Sequence, residues 1–252
     1  MKKTVLTALL CVPFFLLHAE SIEQQLALGD SLKAVWDHAG AAEAYLKVIE
    51  RDSGHYEALW NAADELTEMA NALPEDEKDK KEELFARSRA LAERAIEVNP
   101  DGWEGHFYRA VALGRLALFR GGREKINLSK EIKVSADQAV ALNPEADRAY
   151  HVLGRWHQNL ANLSWVLRAA AKVMYGGVPP GSNEEAVEMF QKAIEINPYH
   201  IEHHLELART YEFMGRKELM REPLEKVLAL PSVEEKDDAF KQEAQEMLKK
   251  LK

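Results

Sequence analysis

Apolar and small residues recur along this chain at the three- and four-residue spacing of amphipathic helices, and proline closes several of these runs. Three segments, AERAIEVNP, SADQAVALNP and AVEMFQKAIEINP, end at Pro100, Pro144 and Pro198. Small residues stand about seven and twelve positions before each proline, where they would let a second helix approach closely. Because proline lacks the amide hydrogen of the next turn, each segment should end as the second helix of a hairpin.

A second pattern follows Pro144 and Pro198 and predicts the first helix of each hairpin: a large residue, a large and small pair, then an aromatic. Its members are Tyr150, Leu153, Gly154 and His157 in one copy, and His204, Leu207, Ala208 and Tyr211 in the other. Paired helices repeating in this way are typical of tetratricopeptide repeats. The sequence therefore predicts an all-α fold, a right-handed tetratricopeptide-repeat solenoid of about five helical hairpins with insertions and a C-terminal capping helix.

We expect one domain over residues 20–252. Its predicted repeats cover about 22–54, 55–100, 101–144, 145–198 and 199–231, and the capping helix covers 233–251. Since a standard repeat has about 34 residues, these longer repeats must contain insertions. The candidates are 73–81, 120–130 and 163–183, the last with an apolar helix from Trp165 to Tyr175. Insertions in solenoids usually lie on one face, which is often the binding face.

The fourth repeat carries the most specific residues of the chain. They are Leu153-Gly154-Arg155-Trp156, Leu163-Ser164-Trp165, Gly177-x-Pro179-Pro180 and Glu185-Ala186. With these residues the chain resembles the regulator of microtubule dynamics family from about Ala92 to its end. The resemblance implies a tetratricopeptide-repeat solenoid used at microtubules or organelle contacts, with phospholipid binding by the repeat domain of one member. This chain would be an exported relative, because its leader looks bacterial.

Residues 1–19 have the pattern of a secretory signal peptide. Lys2 and Lys3 precede an apolar run over 5–17, and Ala19 offers a cleavage site. We expect cleavage near Ala19 and export to the periplasm or outside the cell. A retained anchor is the alternative, although the run is shorter than the roughly 20 residues that span a bilayer. Cys11 follows two leucines, which is against a lipoprotein signal.

Charge, cysteine content and missing motifs exclude several classes of partner and activity. The net charge of −9 becomes −11 when Lys2 and Lys3 are removed, which is against nucleic acid and anionic lipid surfaces as partners. Beyond the leader there is no cysteine and no run long enough to span a bilayer. Phosphate-binding and nucleophile-elbow motifs are missing too, and Arg120-Gly121-Gly122-Arg123 is interpreted as a helix-ending turn. We therefore predict no enzymatic activity, no cofactor and no transmembrane helix in the mature chain.

One histidine cluster has a spacing that could suit a metal ion. His200 and His204 lie one helical turn apart beside His203 and Glu202, so they could share an ion. His204 occupies a repeat position that normally packs inside the hairpin, however. We therefore expect a packed histidine beside two exposed ones, and no metal.

The first helices of such a solenoid line its concave face, which is the candidate binding surface. The repeat register places there Trp60, Asp64, His151, Arg155, Gln158, Arg209 and Glu212. Arg155 and Arg209 could bind carboxylates, and Trp60 or His151 could anchor an extended peptide or helix. We expect a protein or peptide partner. The alternative is that these side chains are solvated and bind nothing.

A second function stays open at this point, the binding or transfer of a lipid or other amphiphile by the apolar helix 165–175. Trp156 and Trp165 are its candidate ligand-lining residues, although large aromatics usually pack in cores. An apolar cavity beneath that helix would favour the carrier. A filled core beside a polar groove would favour the peptide-binding scaffold.

Overall fold

The computed structural model describes residues 21–251, which form twelve α-helices and one 3-10 turn and contain no strand. The helices are α1 (Ile22–Lys33), α2 (His38–Arg51), α3 (Tyr56–Ala72), α4 (Lys78–Val98), α5 (Trp103–Leu116), α6 (Gly122–Leu142), α7 (Asp147–Ala161), α8 (Trp165–Tyr175), α9 (Asn183–Ile196), α10 (Ile201–Phe213), α11 (Lys217–Ala229) and α12 (Asp237–Lys250). The predicted signal peptide, its cleavage site and Cys11 lie outside these residues.

The helices pair into five consecutive hairpins. The pairs are α1 with α2, α3 with α4, α5 with α6, α7 with α9, and α10 with α11; α12 packs on α10 and α11. The main apolar core runs between the hairpins from α1 to α7, and a second cluster joins α10, α11 and α12. The predicted all-α solenoid of five hairpins with a terminal helix is confirmed.

The Asn-Pro pairs explain how the second helices end. Asn143 follows α6 and Asn197 follows α9. The side-chain oxygen of each accepts a hydrogen bond from the backbone amide two residues onward, at 3.1 and 3.2 Å. The proline between has no amide to continue the helix. Asp52 does the same after α2, accepting from the Gly54 amide at 3.0 Å. The first repeat therefore has the same turn, in which a side-chain oxygen accepts a hydrogen bond from the amide two residues onward, although it lacks the proline.

Two glycines let the helices of a hairpin come into contact. A Cβ atom at Gly29 would lie 2.6 Å from the Tyr45 ring, and one at Gly154 would lie 2.7 Å from the Phe190 ring. Both aromatic rings are fully buried. The small residue of the first helix therefore makes room for the large residue of the second.

The structure shows where the extra length of the repeats goes. α4 and α6 each have 21 residues, compared with 14 in α2 and α9, so repeats two and three are lengthened mainly in their second helices. In repeat four, the insertion forms α8 between the paired helices α7 and α9. α8 packs lightly against α6, and its Arg168 donates to the Leu160 carbonyl at the end of α7. Within 21–251 no helix is long and apolar enough to cross a membrane.

The chain does not run straight from α11 into α12. The expected capping helix over 233–251 begins only at Asp237, whose side chain accepts the backbone amides of Val233 at 2.8 Å and Glu234 at 2.7 Å. Residues 231–236 therefore form an irregular stretch, named here the crossing segment.

Candidate binding face

The first helices α1, α3, α5, α7 and α10 contribute a continuous row of polar and aromatic contacts, named here the first-helix face. On α3, Trp60 stacks on Tyr108 of α5 with ring centroids 5.7 Å apart and nearly parallel planes. Asp64 accepts hydrogen bonds from Lys33 at 2.6 Å and from the Tyr108 hydroxyl at 3.1 Å. Lys33 and Tyr108 therefore already engage Trp60 and Asp64.

Three other candidates converge on a carboxylate that the repeat register does not reveal. Glu206 is fully buried and forms ion pairs with both Arg155 and Arg209. Gln158 donates to the same carboxylate at 3.0 Å. Arg209 also binds Glu243 of α12, with Nε at 2.8 Å. The predicted carboxylate-binding arginines therefore bind carboxylates of this chain: Glu206 connects α7 to α10, and Arg209 with Glu243 connects α10 to α12.

His151 belongs to a cluster of histidines at the α7–α10 contact. Its Nδ1 lies 2.9 Å from Nδ1 of His203, and Nε2 of His203 lies 3.0 Å from Asp147. Burial lowers the pKa of both histidines, so both are neutral near pH 7. With His203 donating to Asp147, its Nδ1 accepts the proton of His151, a tautomer assignment that follows from the contacts.

The expectation of one packed and two exposed histidines is wrong. His203 is fully buried, His204 is 6% exposed, and the His200 side chain is 8% exposed. His204 turns away from the other two and contacts the Pro198 carbonyl at 2.9 Å. His200 and His204 therefore do not share a site, because one faces the first-helix face and the other faces into the hairpin.

The crossing segment returns from the last hairpin to the first-helix face. Glu234 accepts from Arg148 of α7 at 2.9 Å and lies 3.1 Å from Nδ1 of His200. Glu235 lies 3.3 Å from Nε2 of His38, and Lys236 donates to Glu68 at 2.5 Å. Segments up to 197 residues apart in sequence therefore meet, and the end of the solenoid contacts its beginning.

A second buried carboxylate lies beneath this junction. Glu65 is 1% exposed and contacts Nδ1 of His38 at 2.7 Å and Lys33 at 3.2 Å. Burial raises the pKa of Glu65 despite these two partners. His38, Glu68 and Glu235 also bring one donor atom each within 4.8 Å of one another, a spacing that could suit a cation. Here Lys236 supplies the positive charge beside Glu68.

The remaining candidates, Glu212, Trp156 and Trp165, lie in three different environments. Glu212 is exposed and lines an open polar cleft of about 440 Å³ together with residues of α12. Trp156 is 5% exposed and donates from its indole nitrogen to the Ser129 carbonyl at 2.7 Å, so it packs in the core. Trp165 is 80% exposed.

The inserted helix α8 turns its apolar side outward. Trp165, Val166, Leu167, Val173 and Met174 are all at least half exposed, and Ala171 is its only buried residue. Two pockets of the described residues lie elsewhere, one beside Glu212 and one beside His200. An apolar cavity beneath α8 would favour the carrier hypothesis, and neither pocket lies beneath α8.

Stacked hairpins whose first helices share one face define a tetratricopeptide-repeat protein, and solved structures agree. A thermophilic TPR protein from Thermus thermophilus superimposes with a TM-score of 0.65 and 16% identity, covering 90% of this chain and 99% of that one. MamA from Desulfovibrio magneticus gives a TM-score of 0.53 and 14% identity over 83% and 94% of the two chains. At these identities the likeness establishes the fold alone.

The family follows from sequence. The profile described as "Regulator of microtubule dynamics protein 1-3" matches residues 20–252, so the chain belongs to the regulator of microtubule dynamics family. The mouse regulator of microtubule dynamics protein 1 is 28% identical, with 90% of this chain and 74% of the mouse protein covered. Protein 1 of Bos taurus is 30% identical over 79% and 63%. Protein 3 of Xenopus laevis is 28% identical over 77% and 42%, so this chain spans under half of that relative.

Proposed function

We propose that this chain is an exported, non-catalytic scaffold that binds a protein or peptide partner on its first-helix face. The observation that carries the proposal is the row of aromatic and ionisable side chains from α1 to α10, fixed in place by mutual contacts. A face whose side chains are already ordered loses little conformational entropy when a partner binds. The absence of catalysis is a proposal too, supported by the pairing of these groups with one another.

A photoreactive amino acid tests the proposed face. Benzoylphenylalanine in place of Trp60 keeps an aromatic ring against Tyr108, and the same residue in place of Val134, 67% exposed on the second helix α6, serves as the control. After irradiation in the native cell, we expect adducts of defined mass at position 60 but not at 134. Identical adducts at both positions, or none at 60, would contradict the proposal. Because the relatives are named for microtubule dynamics, tubulin is one purified probe to include.

Export is tested separately on the protein as the native host makes it. We expect an intact mass that corresponds to a chain beginning at Glu20, recovered from the periplasmic or extracellular fraction. A mass that includes residues 1–19, recovered with membranes, would instead support the retained anchor.

The outward apolar side of α8 favours amphiphile binding as a second candidate. A helix that exposes Trp165, Val173 and Met174 offers apolar surface to a lipid tail or a bilayer interface. Co-sedimentation with phosphatidylcholine vesicles tests it, using Trp165→Ser with Val173→Ser. The control pair is Leu118→Ser with Val134→Ser, exposed apolar residues outside α8. Loss of sedimentation only in the α8 pair would support the candidate, and equal behaviour of both pairs would reject it.

A further inference from the structure

The crossing segment is held on the first-helix face by charged and polar contacts. Glu234 pairs with Arg148 and His200, Glu235 with His38, and Lys236 with Glu68. Burial alone would raise the pKa of Glu234, but His200 and Arg148 bring it down to about 2. His200 and Arg148 therefore hold Glu234 in its charged form.

Apolar burial contributes little to this contact. Pro231, Ser232, Glu235 and Lys236 are exposed, and Val233 is 66% exposed. The helix that follows, α12, packs on α10 and α11 rather than on α3 or α7. The pair of Arg148 with Glu234 is exposed on both sides, and such a pair changes an equilibrium by at most about fivefold and is screened by salt, whereas His200 and His38 contact their glutamates from mostly buried positions. Residues 231–236 therefore have no buried apolar side chain that would have to be withdrawn if they left the face.

Its departure would free a specific set of groups. Arg148 of α7, His200 before α10 and His38 of α2 would present a guanidinium and two imidazoles to solvent. These groups bind two adjacent carboxylates in the structure, and the next residue, Lys236, binds Glu68. The crossing segment therefore shows which chemistry this face binds: two adjacent glutamates followed by a basic residue.

We propose that the crossing segment is an intrachain ligand, and that the partner of this face is an acidic peptide with two adjacent carboxylates that displaces it. The inference rests on the proposed function, because it names the chemistry of the partner that the face takes. The net charge of −9, or −11 without residues 1–19, does not prevent such binding, since at physiological salt charges beyond about 8 Å are screened and the two carboxylates lie directly against Arg148, His200 and His38.

The test measures the affinity of the full chain for a fluorescent peptide with the sequence of residues 231–237, Pro-Ser-Val-Glu-Glu-Lys-Asp. The variant Glu234→Gln with Glu235→Gln removes the charges of the intrachain ligand. The matched control, Glu184→Gln with Glu188→Gln, makes the same charge change at two exposed residues of α9. We expect at least tenfold tighter binding by the first variant than by the wild type or the control.

Two further reagents make the result specific. A peptide with glutamine at both glutamate positions should not bind, and adding Arg148→Gln to the first variant should abolish the gain. Equal affinity of wild type, variant and control, or a gain that survives Arg148→Gln, would overturn the proposal. If the peptide does not bind while benzoylphenylalanine at Trp60 still captures a partner, the acidic ligand is wrong but the scaffold function stands. If both fail, the first-helix face is not a binding face.

Discussion

Individual residues set how closely the helices pack, and glycine shows this most directly. Gly154 and Gly114 are both helical glycines, yet a Cβ atom at Gly154 would meet the Phe190 ring at 2.7 Å, whereas one at Gly114 would meet nothing within 4 Å. The same mutation should therefore have opposite effects at the two positions. The repeat pattern predicts a small residue at position 154, because the large and small pair of the first helix falls there.

We expect Gly154→Ala to lower the free energy of unfolding by about 1–3 kcal/mol, because the added methyl group overpacks the hairpin. Gly114→Ala should raise it by about 0.5–1 kcal/mol, since alanine restricts the unfolded chain and favours helix. Urea unfolding followed by circular dichroism measures both. Equal effects of the two substitutions would contradict the packing argument.

Glu206 is the residue that the sequence could least identify. A glutamate on an amphipathic helix is ordinarily exposed, and nothing local distinguishes Glu206 from Glu212 on the same helix. Its burial depends on Arg155 of α7, 51 residues away in sequence. Arg155 and Arg209 could be predicted on one face, but not that their ligand is internal.

Replacing Glu206 with alanine should lower the free energy of unfolding by about 2–4 kcal/mol, because two partly buried guanidinium groups lose their shared carboxylate. Glu212→Ala on the same helix should stay within about 0.5 kcal/mol, since Glu212 is exposed. Chemical denaturation of both variants provides the comparison. A small effect at Glu206 would mean that the arginines find water or Glu243 at little cost.

At the scale of whole elements, periodicity predicted the helices well but not their environment. The helix from Trp165 to Tyr175 forms where it was predicted, because its apolar residues and the flanking turn are local signals. Which side of α8 faces the protein is decided by its light packing on α6, and the apolar side turns outward. The sequence therefore does not reveal that Trp156 of α7 is buried while Trp165 of α8 is exposed.

Trp156 and Trp165 should respond differently to truncation. Trp156→Ala removes a buried ring from between α6 and α7 and should cost about 3–5 kcal/mol. Trp165→Ala removes a ring that is 80% exposed and should shift stability by less than about 0.5 kcal/mol. Thermal unfolding resolves the difference, because 1 kcal/mol corresponds to roughly 2–4 °C in a domain of this size. A large loss at Trp165 would show that α8 packs against more than the structure indicates.

At the scale of the whole molecule, contacts between distant segments could not be predicted from the sequence. The five hairpins follow from repeats, in which each unit packs on its neighbours. Contact between the crossing segment and α2 joins residues 197 apart, and no repeat pattern encodes it. It arises from the path of the assembled solenoid, which brings Glu235 to His38 and Lys236 to Glu68.

The charge of His38 makes this closure depend on pH. Burial lowers its pKa, but the hydrogen bonds and charges of Glu65 and Glu235 outweigh burial, so the pKa is raised above 6.5. The groups around it are Glu65 and Glu68 on α3, Lys33 on α1, and Glu235 and Lys236 on the crossing segment. A raised pKa stabilises the folded state fully below 6.5, and the contribution disappears as the pH rises through the folded-state value.

Glu234 sets the lower limit of the same window. Its pKa of about 2 lies below the ordinary 4.5, so its contribution is complete above pH 4.5 and is lost as the pH falls towards 2. Closure should therefore be strongest between about pH 4.5 and 6.5. We expect the stability difference between wild type and His38→Gln, measured by urea unfolding, to be largest just below pH 6.5 and to shrink by pH 9. His106→Gln, at a partly exposed histidine of α5 that contacts the Pro100 carbonyl rather than a carboxylate, is the control. A difference for His38→Gln that does not change with pH would mean that Glu65 and Glu235 together do not favour the charged form of His38 in the folded state.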